Sequence, residues 1–253
     1  MNTPGFYDGK TVLLTGASTG IGKALAIKLM HTKCKLVLVA RRRELISEFV
    51  TSQPKRENLI ISGCDVSDKE AVSLLLDEVT QKMGQPDIVI LNAGVSLGEK
   101  YEILDEKATR ATMEINFFGV VNFVHPLLQP FRERKSGTFV IVSSLADGRG
   151  YPQSAAYSAS KAAVSIFAES LAIKTAPLGL KVITVKPGFV KTPMTDKNQF
   201  PMPFMISAEK AAEIIFNGII NGKRMIKFPF MTSFLTSLAN IAPYKIFAKA
   251  VRR

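Results

Sequence analysis

The sequence predicts an α/β fold in which a doubly wound parallel sheet of about seven strands carries helices on both faces. Short apolar runs alternate with longer segments of helical periodicity along most of the chain. The runs are continuously apolar, as at residues 88–91, which is typical of parallel strands buried on both faces. Polar and glycine-containing motifs follow several of these runs, at the strand ends where such sheets bind ligands.

The individual elements follow from these patterns in chain order. Apolar runs predict strands at residues 11–15, 35–40, 58–62, 87–91, 138–143, 181–185 and 225–228. Helical spacing of apolar residues predicts helices at about 21–32, 42–53, 68–83, 106–134, 154–176 and 208–222. Right-handed crossovers between parallel strands would place these helices on both faces of one sheet. We therefore expect a single domain over residues 1–253.

The charge balance limits the classes of partner. The chain has 33 Lys and Arg against 21 Asp and Glu, a formal net charge of +12. This charge suits an anionic membrane surface or anionic substrates. The sequence has no nucleic-acid-binding motif and no interleaving of aromatic and basic residues, so we expect no nucleic-acid partner.

Cysteine, histidine and the N-terminal residues give three further expectations. Cys34 and Cys64 border apolar runs and are too few for a disulfide framework. Neither they nor His31 and His125 lie in a cluster of metal-ligating residues, so we expect buried thiols and no metal site. No apolar stretch precedes Lys10, so we expect no signal peptide and a cytoplasmic protein, with membrane contact at most peripheral.

A glycine-rich turn directly follows the first predicted strand and opens the first predicted helix. Its glycines are Gly16, Gly20 and Gly22, in a Gly-x-x-x-Gly-x-Gly spacing. Glycine permits a tight turn and a close approach of backbone to phosphate, and a helix N-terminus attracts an anion. This layout predicts a dinucleotide pyrophosphate site.

Tyr157 and Lys161 are four residues apart and would share one face of a helix, with Ser144 thirteen residues upstream of the tyrosine. A nearby ammonium lowers a phenol pKa from its usual value of about 10, so that tyrosine can act as a general acid–base near working pH. A serine hydroxyl beside it could hold a carbonyl or alcohol oxygen. Such a group indicates proton transfer to an oxygen.

Six motifs in order resemble the short-chain dehydrogenase/reductase family over about residues 8–192. They are Thr15-Gly16-x-x-x-Gly20-x-Gly22, Asn92-Ala93-Gly94, Asn116, Ser144, Tyr157-x-x-x-Lys161 and Pro187-Gly188. The resemblance implies a Rossmann-type fold and an oxidoreductase that uses a nicotinamide cofactor.

The resemblance also implies roles for individual residues. The implied catalytic residues are Asn116, Ser144, Tyr157 and Lys161, with Asn116 binding a water that links the lysine to solvent. Tyr157 and Lys161 are also expected to contact the cofactor. The other implied cofactor contacts are Gly16, Ser18, Thr19, Gly20, Ile21, Gly22, Arg41, Arg42, Asp65, Val66, Asn92, Ala93, Gly94, Pro187, Gly188, Val190 and Thr192. Asp65 has two open interpretations, an adenine contact or an aspartate that serves only a turn.

The end of the second strand predicts NADP(H) as the cofactor. Sites for NAD commonly carry a carboxylate there, whereas this chain has Arg41 and Arg42, which can bind a 2′-phosphate. Many NADP-preferring members carry another basic residue inside the glycine motif. This chain has Ser18 or Thr19 at that place, which indicates a less strict preference.

The predicted function is hydride transfer between NADP(H) and a carbonyl or alcohol substrate, with Tyr157 as general acid–base. Lys161 is expected to hydrogen-bond the nicotinamide ribose. Two alternatives of other classes stay open: a non-catalytic NADP-binding sensor and a membrane-surface binding module. Retention of all four catalytic residues favours the enzyme.

Two segments outside the core motifs bear on substrate and partners. Residues 189–206 occupy the substrate-lid position and are rich in Met and Phe, which indicates either an apolar wall for a lipophilic substrate or a lid that packs on its own protein. Residues 229–253 form an apolar and basic extension that either lies on a membrane surface or packs against the lid or a neighbouring subunit. The helices at 106–134 and 154–176 resemble family interfaces, so we expect a homodimer or homotetramer.

Overall fold

One parallel sheet of seven strands organises the fold, in the order β3-β2-β1-β4-β5-β6-β7. The computed structural model describes residues 5–97, 105–198 and 200–251. The strands are β1 (Thr11–Thr15), β2 (Lys35–Val39), β3 (Leu59–Ser62), β4 (Ile88–Leu91), β5 (Thr138–Val142), β6 (Lys181–Pro187) and β7 (Met225–Phe228). All six strand pairings are parallel, as predicted.

Helices cover both faces of this sheet. They are α1 (Gly20–Met30), α2 (Arg43–Val50), α3 (Lys69–Met83), α4 (Glu106–Met113), α5 (Gly119–Glu133), α6 (Ala155–Thr175), α7 (Ala208–Ile220), α8 (Phe230–Ile241) and α9 (Tyr244–Val251). A π-helical segment, Glu114–Phe118, joins α4 to α5, so the long helix predicted at 106–134 is continuous but locally widened. Helices α8 and α9 were not among the predicted helices.

The strand sequences are apolar throughout because both faces of the sheet are buried. Leu14 packs into one core with α1, α2 and α7, whereas its neighbour Leu13 packs into a second core with α3, α5 and α6. Successive side chains of a strand point to opposite faces, so a run of consecutive apolar residues supplies both cores. The doubly wound α/β fold predicted from the sequence is confirmed.

The strand order places a crevice between β1 and β4. The chain runs outward from β1 through β2 to β3 and then returns to β4 on the other side of β1. Connections diverge at this point, and ligands of such sheets bind outside the carboxyl ends of the strands there.

The described part of the C-terminal segment packs on its own chain. Helix α8 lies against β7 and the short 3₁₀ helix Leu145–Asp147. The Arg149 guanidinium donates to the carbonyl oxygens of Asn240 (3.1 Å) and Ala242 (3.0 Å). In α9, the ring of Phe247 lies 5.7 Å from that of Tyr151. The last two residues of the predicted basic tip, 252 and 253, lie outside the described residues.

In the ranges that the structure describes, none of the helices combines the length and the apolar character needed to cross a membrane.

Candidate active site

The predicted site residues converge at the carboxyl edge of the sheet. Gly16 follows β1, Asn92 follows β4, Ser144 follows β5 by two residues and Gly188 follows β6. Because these strands are parallel and lie side by side, their ends meet at one edge. Pro187 is the buried last residue of β6, two residues beyond the predicted strand end.

The glycine-rich turn requires glycine for conformation and for space. Gly16 and Gly20 adopt φ values of 67° and 54°, in the left-handed region. A Cβ atom on Gly22 would lie 2.0 Å from the carbonyl oxygen of Gly16. These constraints bring the start of α1 directly against β1.

The N-terminus of α1 is suited to an anion. The N-cap residue Thr19 makes no side-chain cap, and the first turn carries no acidic residue. The first N–H groups of a helix lack intrahelical partners and form a positive end. An open cleft of about 500 Å³ borders this turn and is lined by Ser18, Thr19, Gly20, Lys23 and Pro193 among others. Ile21 packs against the adjacent core.

Lys23 is a basic residue beside the turn that the sequence analysis missed. It directly follows Gly22, which was the signal available, and its ammonium lies 5.3 Å from the centre of the Phe49 ring.

Asn92 holds the turn to the end of β4. Its Nδ2 donates to the carbonyl oxygens of Thr15 (3.1 Å) and Gly16 (3.2 Å). The Thr15 hydroxyl accepts from the backbone N–H groups of Asn92 and Ala93. The side chain of Asn92 therefore serves as scaffold.

Asn116 is fully buried within the π-helical segment. Its Oδ1 accepts from the Val95 N–H (2.8 Å), and its Nδ2 donates to the Val95 carbonyl and to the Ser160 hydroxyl, both at 2.9 Å. An asparagine is unfavourable inside an α-helix, and the widened turn gives its amide these partners. Asn116 thereby fixes the chain that follows Gly94.

Gly94 brings Asn116 and Lys161 to one small space. A Cβ atom on Gly94 would lie 3.2 Å from the Asn116 Oδ1 and 3.3 Å from the Lys161 Nζ. The side chains of the predicted residues Asn116 and Lys161 thus both lie beside the small gap next to the Cα atom of Gly94.

Lys161 is buried, and its Nζ donates to the carbonyl oxygen of Val142 at 2.9 Å. Burial lowers the pKa of Lys161 to about 8, and the carboxylate of Asp147 partly opposes this shift. The ammonium lies 5.8 Å from the centre of the Tyr157 ring. The shared helix face predicted for these two residues is present in α6.

Burial raises the pKa of Tyr157, while a hydrogen bond from Ser144 lowers it and the Asp147 carboxylate raises it further. We expected Lys161 to bring this pKa below its usual value, but the net shift is upward, because burial is the largest influence. The Lys161 ammonium itself donates to the carbonyl oxygen of Val142. The phenol is therefore protonated at neutral pH and can donate a proton to an oxygen held by Ser144.

The sequence analysis did not predict a buried ion pair, with its hydrogen-bond partners, that adjoins Lys161. The Asp147 carboxylate lies 2.6 Å from the Lys186 ammonium, with side-chain exposures of 8% and 17%. Ser165 hydrogen-bonds both Asp147 and Ser143, and Ser143 donates to the backbone carbonyl of Lys161 (2.9 Å). The available signal was a lysine at the end of an apolar strand, directly before Pro187.

The predicted adenine-side residues lie at the ends of β2 and β3. Arg41 and Arg42 are exposed, and the Arg41 guanidinium lies 3.8 Å from an oxygen of Asp65. The other oxygen of Asp65 accepts from the N–H and hydroxyl of Ser67. Asp65 thus serves a turn and also faces an arginine, and Val66 is buried against α5.

The segment after β6 lies against the glycine-rich turn. The Thr192 methyl carbon would be 2.9 Å from a Cβ on Gly20. Val190 is buried, forms a parallel bridge with Ile206, and its carbonyl accepts from the Thr195 hydroxyl (2.7 Å). Of the predicted lid at 189–206, residue 199 lies outside the described residues.

The fold and the site define an α/β protein with a Ser–Tyr–Lys group beside a glycine-rich turn, and comparison with known proteins identifies the family. Residues 10–201 match the model of the short chain dehydrogenase family. An uncharacterised oxidoreductase of Myxococcus xanthus is 33% identical over 246 residues, covering 96% of this chain and 97% of the relative. The chain belongs to the short-chain dehydrogenase family of oxidoreductases, as its motifs predicted.

Solved structures agree on the fold. A short chain dehydrogenase from Burkholderia cenocepacia J2315, in complex with NADP, has a TM-score of 0.82 and 23% identity, covering 96% of this chain and 98% of that one. A short chain dehydrogenase/reductase from Burkholderia phymatum, in complex with NAD, has a TM-score of 0.83 and 22% identity, covering 92% and 93%. At these identities the likeness concerns the Rossmann-type fold alone.

The buried ion pair gives a testable prediction. Asp147→Asn is expected to lower the free energy of unfolding by roughly 1–3 kcal/mol, because the Lys186 ammonium is left largely buried without its carboxylate. Urea unfolding followed by circular dichroism measures this change. The matched control is Glu213→Gln in the exposed Lys210–Glu213 pair, where no measurable change is expected. Equal stability of the two variants would contradict the prediction.

Proposed function

We propose that the protein is an NADP(H)-dependent oxidoreductase that interconverts a lipophilic ketone or aldehyde and the corresponding alcohol. One observation carries the proposal: Ser144, Tyr157 and Lys161 lie together at the same edge of the sheet as the glycine-rich turn, with β4 between β5 and β1. The chain belongs to a family of oxidoreductases, and the two solved structures compared above are complexes with NADP and with NAD.

In this proposal Ser144 and Tyr157 hold the substrate oxygen. Ser144 donates to the Tyr157 oxygen, and this hydrogen bond sets their relative position. With a substrate bound, each hydroxyl would turn its single O–H toward the carbonyl oxygen. Bound NADPH would supply the hydride that reduces the carbonyl carbon. Tyr157 then gives its proton to the oxygen, and its raised pKa keeps the phenol protonated so that this proton is present for reduction.

Lys161 and Asn116 support that proton transfer. The Lys161 ammonium has three donors, and Val142 accepts from one of them, so the group has capacity for a ribose hydroxyl. Asn116 shapes the gap beside Gly94 through which a water would connect the ammonium to solvent. A buried ammonium next to the phenol stabilises the phenolate that remains after the proton has left.

The choice of NADP(H) rests on the charges at the end of β2. Arg41 and Arg42 are exposed there, and Lys23 adds a cation at the cleft beside the glycine-rich turn. A 2′-phosphate placed between them would receive charge-assisted hydrogen bonds, whereas a ribose hydroxyl would gain less. Asp65 near Arg41 moderates this field, which fits a preference that is less than strict.

The lipophilic substrate is inferred from the lid. Phe189 and Phe200 pack with ring centres 6.1 Å apart, and Met194, Phe204 and Met205 are partly exposed nearby in sequence. Met and Phe side chains form an adaptable apolar wall. This wall begins directly after Gly188, at the end of β6, which neighbours the strand β5 that leads to Ser144.

We propose that α6 forms part of the interface of a homo-oligomer. Ile166 and Ile173 are each 65% exposed on this helix, and the partly exposed Phe118 precedes α5. Exposed apolar side chains on α6 and just before α5 fit the homodimer or homotetramer expected from the family resemblance.

Turnover of a substrate panel tests the proposed reaction. Oxidation of NADPH, followed by absorbance, is expected with ketones and aldehydes and should strengthen with chain length. Tyr157→Phe should reduce turnover by about 10²–10⁴-fold, because the proton donor is lost. Cofactor binding by this variant, measured by fluorescence titration, should persist.

The control for this experiment is Tyr151→Phe, which makes the same change at a neighbouring tyrosine that packs on α9. It should retain turnover. Undiminished turnover in Tyr157→Phe would refute the assignment. Tight NADPH binding without turnover of any compound would instead favour the sensor.

The proposed contact to the 2′-phosphate makes a separate prediction. Arg41→Ala should raise the KM for NADPH by roughly 10–100-fold, the equivalent of one charge-assisted hydrogen bond, and leave the KM for NADH nearly unchanged. Arg43→Ala is the matched control, since Arg43 begins α2 and was not assigned to the phosphate. A wild-type enzyme that prefers NADH would overturn the cofactor assignment.

The two directions of the reaction should respond oppositely to pH. Carbonyl reduction needs protonated Tyr157 and the Lys161 ammonium, so its kcat should fall above about pH 8, where Lys161 loses its proton. Alcohol oxidation needs Tyr157 deprotonated, and since burial raises that pKa, its rate should rise with pH beyond neutrality. Initial rates in both directions across a pH series measure this. A reduction rate that climbs with pH would contradict it.

A further inference from the structure

Helix α8 turns its large apolar side chains away from the protein. Phe230 and Ile241 are 79% and 80% exposed, at opposite ends of the helix. At about 100° per residue, the exposed apolar residues of α8 fall within roughly 140° of its circumference. We call this set the outer face: Phe230, Met231, Phe234, Leu235, Leu238 and Ile241.

The inner side of α8 is made of small and polar residues. Thr232 is buried, and its methyl carbon would lie 3.0 Å from a Cβ on Gly188. Ser233 and Thr236 are half-buried. A helix at a protein surface normally buries its apolar stripe and exposes its polar one, and α8 has the reverse arrangement.

The position of α8 is fixed, so the outer face cannot turn inward. A Cβ on Gly148 would lie 2.2 Å from the amide nitrogen of Asn240, which shows how closely α8 approaches the segment after Ser144. Arg149 binds the carbonyl oxygens of Asn240 and Ala242 at the end of the helix. The outer face is therefore a surface of the folded chain.

Helix α9 follows α8 and adds exposed apolar and basic side chains. Its Phe247 is buried under Arg149, whose guanidinium carbon lies 4.2 Å from the ring centre. Tyr244 and Ile246 are exposed, as are Lys245 and Lys249. Exposed aromatic and aliphatic side chains next to lysines are typical of helices that lie at a lipid–water interface.

The charge of the C-terminal region selects the partner. No Asp or Glu follows Glu213, whereas the basic residues after it are Lys223, Arg224, Lys227, Lys245, Lys249, Arg252 and Arg253. Packing this region against its copy in a second subunit would bring like charges together, which opposes association. An anionic lipid surface supplies both the apolar environment for the outer face and the opposite charge.

We propose that α8 and α9 dock the protein on the surface of an anionic lipid bilayer. The outer face enters the boundary between headgroups and acyl chains, and Lys245 and Lys249 contact lipid phosphates. Docking is peripheral, and it does not depend on the proposed reaction.

Docking has a consequence for the site, which rests on the proposed function. Thr232 of α8 approaches Gly188, where the lid begins, and Gly148 beside Asn240 follows the segment of Ser144. Helix α8 therefore joins the docked face to segments that adjoin the proposed catalytic group, and docking would hold that group near the bilayer in which a lipophilic substrate dissolves.

Co-sedimentation of the full-length protein with vesicles tests the docking. We expect binding to vesicles of phosphatidylcholine with phosphatidylglycerol, weaker binding to phosphatidylcholine alone, and weakening by salt. Phe230→Ser/Ile241→Ser should weaken binding to the mixed vesicles by at least about tenfold, through lost apolar burial. Lys245→Glu/Lys249→Glu should abolish the preference for the anionic lipid.

Leu74→Ser is the matched control, since Leu74 is an exposed apolar residue on α3, outside the C-terminal segment, and its loss should leave binding unchanged. Thermal unfolding confirms that each variant is folded.

Failure of the wild-type protein to bind mixed vesicles, or equal binding by Phe230→Ser/Ile241→Ser, overturns the proposal. The outer face would instead be assigned to a second copy of the chain if two results held together. The wild-type protein would be a dimer by light scattering that does not bind vesicles, and Phe230→Ser/Ile241→Ser would make it a monomer. If the wild-type protein binds mixed vesicles but turns over none of the carbonyl compounds with NADPH, the result counts against the proposed function and not against docking.

Discussion

The close contact between the glycine-rich turn and the end of β4 is the constraint on which the site depends. A side chain at Gly22 would collide with the carbonyl oxygen of Gly16, and a side chain at Gly16 would collide with the backbone of Ala93. Asn92 locks this contact through the carbonyl oxygens of Thr15 and Gly16. The N-terminus of α1 and the Asn92–Gly94 segment thereby form one rigid unit. Gly94, the last residue of that segment, lies close to the side chains of Asn116 and Lys161.

The chemistry of the site is set by burial as much as by neighbouring charges. Lys161 is buried and Tyr157 half-buried, which disfavours the charged form of each, so their pKa values move in opposite directions, toward a neutral phenol and a less basic amine. Asp147 lies behind both and acts against the loss of the Lys161 proton, while Lys186 neutralises its charge. The result is a protonated phenol beside an ammonium whose pKa lies close to neutrality, which suits a group that passes protons.

The C-terminal helices connect the site to the exterior. Arg149 binds the end of α8 and stacks on Phe247 of α9, and it lies five residues after Ser144. Helix α8 presents apolar side chains outward, while its Thr232 and Asn240 lie against Gly188 and Gly148. Any partner bound to the outer face would therefore act on segments adjoining the proposed catalytic group.

Local sequence determined the strands, the glycine-rich turn and the family, because apolar runs and glycine spacings act over a few residues. It also located Ser144, Tyr157 and Lys161, whose spacing follows from one helix and one strand end. Only the tertiary structure decided that Asp147 pairs with Lys186, that burial raises the Tyr157 pKa, and that α8 faces outward. It also decided that a π-helical turn seats Asn116. These features depend on segments far apart in the chain meeting at defined distances, which no local pattern specifies.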